Sequence, residues 1–155
     1  MRSASSRIDP PDRARDVIVL GVTASDAHSV ANQLIAHHLR SEGYTVVNLG
    51  ACTPVEEFAR AVREHPGTLA VVIGSLNGHA YDDLRDLPAA RATGELACPV
   101  ILGGNLSVGS RKDPRALERL HRLGVDHILS EMGELVPLLR DLARQAAQSR
   151  LPRAV

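Results

Sequence analysis

The chain has 155 residues, and its 18 basic and 18 acidic side chains cancel to a formal net charge of zero. That balance argues against a nucleic-acid or anionic-membrane partner, which would favour a basic surface. Tyr44, Phe58 and Tyr81 are the only aromatic residues, so platforms for stacking bases, and most means of sandwiching a flavin ring, are missing.

A chain of this length fits one domain able to bury roughly two-thirds of its unfolded surface. Residues 1–15 are polar and proline-containing and read as a disordered tail. Asp9 and Asp12 count against an organelle presequence. Val17-Ile18-Val19-Leu20 is the first apolar run and predicts a strand. Val30, Leu34, Ile35 and Leu39 then trace a helical stripe, closed by Gly43 in a capping position. Thr45 to Leu49 predicts a second strand, and Pro54 sits where the first turn of a helix tolerates proline. Leu69 to Ile73 is a third strand. The helix that follows, around 81–94, is interrupted by Pro88 and reads as a turn and then a short helix. Pro99 to Leu102 is a fourth strand, Pro114 opens a helix that Gly124 ends, and Val125 to Leu129 is a fifth strand. Leu135, Leu138, Leu139 and Leu142 mark a final helix. The ordered domain is placed at 16–147, with 148–155 as a C-terminal tail.

Alternating strands and helices predict an α/β fold with a parallel sheet covered on both faces. Five strands suggest the flavodoxin-like (Rossmann-like) doubly wound order 2-1-3-4-5, with a ligand beyond the carboxyl ends of strands 1 and 3. No apolar run approaches the roughly 18 residues of a membrane span. There is no apolar signal core. Cys52 and Cys98 form neither a disulfide framework nor a zinc spacing. A cytoplasmic location is the simplest expectation.

The switch-point rule directs attention to the loops after strands 1, 3 and 4. A dinucleotide fingerprint G-x-G-x-x-G is missing, since only Gly21 stands at the first turn. A phosphoacceptor receiver would need an aspartate ending strand 3 and a lysine ending strand 5, where Gly74-Ser75 and Ser130 stand instead. What remains is Asp26-x-His28. A histidine becomes a good metal ligand when its second ring nitrogen donates to a carboxylate, which fixes the tautomer and raises basicity. On residue chemistry alone the plainer reading stays open: Asp26 caps the first helix and His28 is a solvated first-turn residue.

The segments Ser25-Asp26-Ala27-His28-Ser29-Val30-Ala31-Asn32, Val46-Val47-Asn48-Leu49-Gly50 and Thr53-Pro54-Val55-Glu56-Glu57-Phe58 resemble the cobalamin-binding domain family, and within it the small subunits of glutamate (methylaspartate) mutases. So do Ser75-Leu76-Asn77-Gly78-His79 and Leu102-Gly103-Gly104-Asn105-Leu106-Ser107-Val108-Gly109. The similarity spans about Asp16 to Arg144. It implies adenosylcobalamin bound base-off, with His28 as lower cobalt ligand, Asp26 bonded to its imidazole, and Ser25, Ala27 and Ser29 shaping the loop. The displaced nucleotide tail would enter a slot between strands 1 and 3. Gly74, Ser75 and Leu76 would line it, with Gly103, Gly104, Asn105, Leu106, Ser107, Val108 and Gly109 on the far wall. It further implies a mutase interconverting L-glutamate and 3-methylaspartate. The substrate would sit in a large TIM-barrel subunit of a heterotetramer, so this chain would be inactive alone and hold no catalytic residue. A non-catalytic corrinoid carrier and a mutase for a different acid are the alternatives. Two positions depart from the family pattern. Ala31 replaces its glycine, and Gly74 replaces the first serine of its Ser-x-Leu element. Ser75 is adjacent to Gly74, but strand alternation turns it the other way. His79 lies near the expected mouth.

Overall fold

Ile18, Val19 and Leu20 in the first strand and Leu69 to Ile73 in the third are all under 9% exposed, because each of these strands is covered on both faces. That is why their sequences run continuously apolar instead of alternating. The computed structural model describes residues 16–104 and 113–152. In it β1 (Val17–Val22), β2 (Thr45–Gly50), β3 (Thr68–Ser75), β4 (Val100–Gly104) and β5 (His127–Ile128) form one parallel sheet in the order β2-β1-β3-β4-β5. This is the flavodoxin-like order expected from the sequence.

Alternation sorts the strand side chains into two cores. Val19, Val71, Ile73, Val100 and Leu102 pack against α2 (Val55–Glu64), α4 (Leu87–Ala92) and α5 (Pro114–Leu123) through Phe58, Leu87 and Leu120. Ile18, Leu20, Ala70, Val72 and Ile101 pack against α1 (Ser29–Ser41) and α6 (Leu135–Ser149) through Leu39, Leu135 and Leu139. The chain around 81–94 divides into α3 (Ala80–Asp83) and α4, with Pro88 in the first turn of α4 where its missing N–H costs nothing.

Two details differ from the sequence expectation. The fifth strand is regular only over His127 and Ile128; before it the Asp126 carboxylate accepts from Val100 N–H at 2.8 Å, while Asp126 N–H and Leu129 N–H still donate to the Val100 and Leu102 carbonyls at 2.9 Å. The apolar stripe of α1 is not uniformly buried: Leu39 is 0% exposed, but Val30 is 74% and Leu34 65% exposed. The inward line is instead Asn32, Ala36 and Leu39, at helical i, i+4, i+7 spacing. The first turns of α1 stand at the carboxyl edge of the sheet, over a cleft, so the outer apolar positions there have no core to enter.

Glycine is structurally required at two places near that edge. A Cβ on Gly21 would meet the Phe58 ring at 2.7 Å, so Phe58 packs directly on the β1 backbone. Gly104 has φ +113°, and a Cβ there would sit 2.2 Å from the Ser75 carbonyl oxygen across the sheet. Its neighbour Gly103 would place a Cβ at an ordinary 3.8 Å from Leu129. Gly104→Ala should therefore cost about 3 kcal/mol or more, from left-handed strain plus overpacking. Gly103→Ala should cost less than about 1 kcal/mol. Denaturant unfolding of the two variants compares them, and equal losses would refute the distinction.

Candidate functional site

The loop after β1 is tied to the sheet by its own backbone. Thr23 N–H donates to the Gly74 carbonyl at 3.0 Å and Asp26 N–H to the Thr23 carbonyl at 3.0 Å, while Cys52 N–H donates to the Asp26 carbonyl at 3.0 Å. These bonds carry the Asp26 side chain inward, where it is 0% exposed. A buried carboxylate needs partners on both oxygens, and Asp26 has them. Oδ1 accepts from His28 N–H at 2.9 Å and meets His28 Nδ1 at 2.5 Å. Oδ2 accepts from Leu76 N–H at 2.5 Å and Asn77 N–H at 3.1 Å. One carboxylate thus joins the loops after β1 and β3.

Burial disfavours the charged form of Asp26, but the donations from Leu76, from His28 backbone and ring, and from Asn77 outweigh it and hold the carboxyl down at about 2. An ionised carboxylate only accepts, so Nδ1 of His28 carries the proton in this contact. In the neutral ring the lone pair then lies on Nε2. That nitrogen has no hydrogen-bond partner among the described residues, and the His28 side chain is 60% exposed. His28, not Asp26, occupies the N-cap position of α1, with φ −73° and ψ 96° and no side-chain cap. Asp26 instead closes a local turn onto the His28 N–H.

His28 stands at the rim of a cleft of about 360 Å³ at the carboxyl edge of the sheet. Leu20, Val22, Val72 and Gly74 contribute from β1 and β3, Ala31, Asn32 and Ile35 from α1, and Leu135 from α6. Its setting beside β1 and β3 is the switch point the strand order predicts. The rim is apolar: Leu34, Leu76 and Met132 line the cleft yet are 65%, 37% and 47% exposed.

Of the residues singled out from sequence, His28, Gly74, Ser75, Leu76, Gly103 and Gly104 line this cleft. Asp26 lies directly behind His28. Ser25, Ala27 and Ser29 are solvent-exposed and not among the lining residues. Ser25 has a different use, since its Oγ donates to Asp83 at 2.7 Å and accepts from Asn77 Nδ2 at 3.0 Å, fastening the first loop to α3. Asn105, Leu106, Ser107, Val108 and Gly109 lie outside the described residues. His79 does not line the cleft; its backbone N–H donates to Asn77 Oδ1 at 3.0 Å. Glycine at 104 is already required by the β3 backbone beside it. Among the lining residues that the sequence does not single out, one is both polar and buried. Asn32 is 2% exposed, and both its amide nitrogen and its amide oxygen lack a hydrogen-bond partner among the described residues. The signal was available: a carboxamide on the inward i, i+4, i+7 line with Ala36 and Leu39.

The depressed carboxyl of Asp26 makes a pH prediction. A folded-state value of about 2 against an ordinary 3.8 means that the ionised carboxylate stabilises the fold above about pH 4. That stabilisation, about 2 kcal/mol, disappears as pH falls from about 4 to about 2. Asp26→Asn should therefore be less stable than the parent at pH 7, and the gap should shrink over that window. Urea unfolding at several pH values measures it, and a gap independent of pH would refute the assignment.

Residues 17–140 match the B12 binding domain family. The glutamate mutase sigma subunit of Halobacterium salinarum is 40% identical over 113 residues, covering 73% of this chain and 75% of that one. The glutamate mutase sigma subunit of Clostridium tetani is 32% identical over 115 residues, covering 74% and 83%. Among solved structures, a cobalamin-binding protein from Desulfitobacterium hafniense superposes with a TM-score of 0.67 at 22% identity, over 83% of this chain and 59% of that one. With the sheet order and the loop geometry in agreement, the chain belongs to the B12 binding domain family, alongside the glutamate mutase sigma subunits.

Proposed function

We propose that this chain is the cobalamin-binding small subunit of a glutamate mutase-like enzyme, holding adenosylcobalamin base-off with His28 Nε2 as the lower ligand of cobalt. The observation that carries the reading is the Asp26–His28 pair, with Nδ1 held at 2.5 Å by a fully buried carboxylate at the rim of a cleft beside β1 and β3. The donor set suits the group. No cluster of three or more His, Cys, Asp or Glu able to hold a metal exists among the described residues. A single oriented imidazole fits a metal whose other ligands arrive with an organic cofactor. The unpartnered Asn32 amide in the cleft wall is the kind of orphan that a bound ligand satisfies.

When bound, adenosylcobalamin supplies cobalt–carbon homolysis and the radical that drives a carbon-skeleton rearrangement. This chain's own residues bind and orient. Asp26 keeps the imidazole in one tautomer and one direction, which strengthens a nitrogen ligand. The cleft takes the displaced nucleotide tail. Ala31, in its wall, adds a methyl where the family carries glycine, so Ala31→Gly widens the slot. The apolar rim of Leu34, Leu76 and Met132 offers a dry seat for the corrin edge and for a large TIM-barrel subunit. That subunit, in a heterotetramer, would hold L-glutamate and close the upper face of the corrin.

Titration of the purified protein with hydroxocobalamin, read by absorbance and by electron paramagnetic resonance after reduction, tests the ligand. The expected spectrum shows nitrogen hyperfine splitting that changes on 15N-histidine labelling and vanishes in His28→Gly. Asp26→Asn should weaken binding about 10–100-fold, and His79→Ala should do little. Spectra unchanged at high protein concentration, with and without the large subunit, would overturn the reading, and equal losses in His28→Gly and His79→Ala would reassign the ligand.

A further inference from the structure

Asn77 holds two consecutive residues of the first loop at once. Its backbone N–H donates to Asp26 Oδ2 at 3.1 Å, and its side-chain Nδ2 donates to the Ser25 carbonyl at 3.2 Å and to Ser25 Oγ at 3.0 Å. The direction of the carboxamide is fixed from its other end. Oδ1 meets the His79 N–H at 3.0 Å, and an N–H only donates, so the oxygen faces His79 and the nitrogen faces Ser25. The Ser25 hydroxyl is fixed in the same way. It accepts from Asn77, and its one proton goes to Asp83 Oδ2 at 2.7 Å. Asp83 stands on firm ground, because the single turn of α3 is seated in the core by Ala80 and by Leu84 just after it, each 1% exposed. Donations therefore run in one direction, from His79 N–H through Asn77 and Ser25 to the Asp83 carboxylate. Ser25, Asn77 and Asp83 do not line the cleft, and the His28 ring bonds to Asp26 and to none of these three.

Resting on the cobalamin reading above, we propose that Asn77 is a positioning residue for the cobalt ligand, acting on His28 through Asp26, with Asp83 as the anchor behind it. The argument lies in one peptide plane. The peptide between Ser25 and Asp26 is tied at both ends, its N–H to the Thr23 carbonyl at 3.0 Å and its carbonyl to Asn77. That plane sets φ of Asp26, and φ sets where the Asp26 side chain points. Without the carboxamide of Asn77 the Ser25 carbonyl loses its partner, the plane rocks, and the carboxylate rocks with it. The His28 ring then loses the steady acceptor that keeps the proton on Nδ1 and the lone pair on Nε2. Ser25 is exposed and Asn77 and Asp83 are half-buried, so these bonds add little to folding. Their use is to aim the ring before a metal arrives.

The test reads the His28 ring in cofactor-free protein, by long-range proton–nitrogen correlation NMR in alkaline buffer, where the ring is neutral. The wild type should show one tautomer, with the proton on Nδ1. Asn77→Ala keeps the backbone N–H and loses the carboxamide. It should give mixed tautomers and weaken hydroxocobalamin binding about three- to tenfold, less than the loss expected at Asp26 itself. Its melting temperature should fall by no more than about 4 °C. Asn77→Asp should do worse than Asn77→Ala, because it turns a charged acceptor toward the Ser25 oxygens, beside Asp26 and Asp83. Asp83→Leu should follow Asn77→Ala, and Asp83→Asn, which keeps an acceptor for Ser25, should recover most of that loss. In an Asp26→Asn background Asn77→Ala should change neither tautomer nor affinity further, since its effect runs through the carboxylate. Tautomers unmoved in both Asn77 variants overturn the inference. So does a full additional loss of affinity in the Asp26→Asn background, which would make Asn77 a structural residue. The two readings fail separately: tautomers that shift as expected in a protein that binds no corrinoid would sink the cobalamin reading and leave the hold of Asn77 on His28 standing.

Discussion

A single buried carboxylate organises the functional end of this molecule. Asp26 has no contact with water and satisfies four hydrogen-bond donors drawn from two loops. Without it the Leu76 and Asn77 amides, the His28 amide and the His28 ring would each need another acceptor. The cost of burying a charge is met locally, by N–H groups already fixed at the end of β3. The histidine is in this sense a product of the sheet: β1 and β3 pair, their loops converge, and the carboxylate between them leaves the imidazole one position to occupy.

The cleft beside it follows from the same topology. At the switch point the chain leaves β1 for α1 on one face and β3 for α3 on the other, so the loops part and a space opens between them. Apolar strand residues line its depth, and the first turns of α1 form one side. The exposed leucines and methionine at the rim are the same feature seen from outside. They are residues of core type at the edge of a core that ends in a cavity.

The fold was legible in the sequence because both of its signals are strong. Continuous apolar runs report strands buried on two faces, and proline and glycine mark the helix ends between them. The fifth strand is shorter than its apolar run because the Asp126 side chain takes the Val100 N–H at its start, so that only His127 and Ile128 are regular strand, although Asp126 and Leu129 still donate to β4. Residue chemistry alone favours a capping role for Asp26, and His28 became legible as a candidate through the spacing Asp26-x-His28 together with the family resemblance of its loop. The structure gives the N-cap position to His28 and turns the carboxylate toward β3, a choice made by contacts about fifty residues apart in sequence. Asn32 was overlooked because the large residues of α1, Val30 and Leu34, suggest a stripe that the cleft leaves exposed. The buried line runs instead through Asn32, Ala36 and Leu39.

The hold on the His28 ring has a mechanical consequence. α1 begins without a side-chain cap, so its first turn is the part of that helix most ready to fray. In most helices a residue at this position would swing with the fraying turn. Here the imidazole is clasped to a carboxylate that is itself pinned to the end of β3, and β3 lies at the centre of the sheet. The helix can breathe at its start while the ring stays in register with the strands. The ring's steadiness is thus that of the sheet rather than that of the helix it opens.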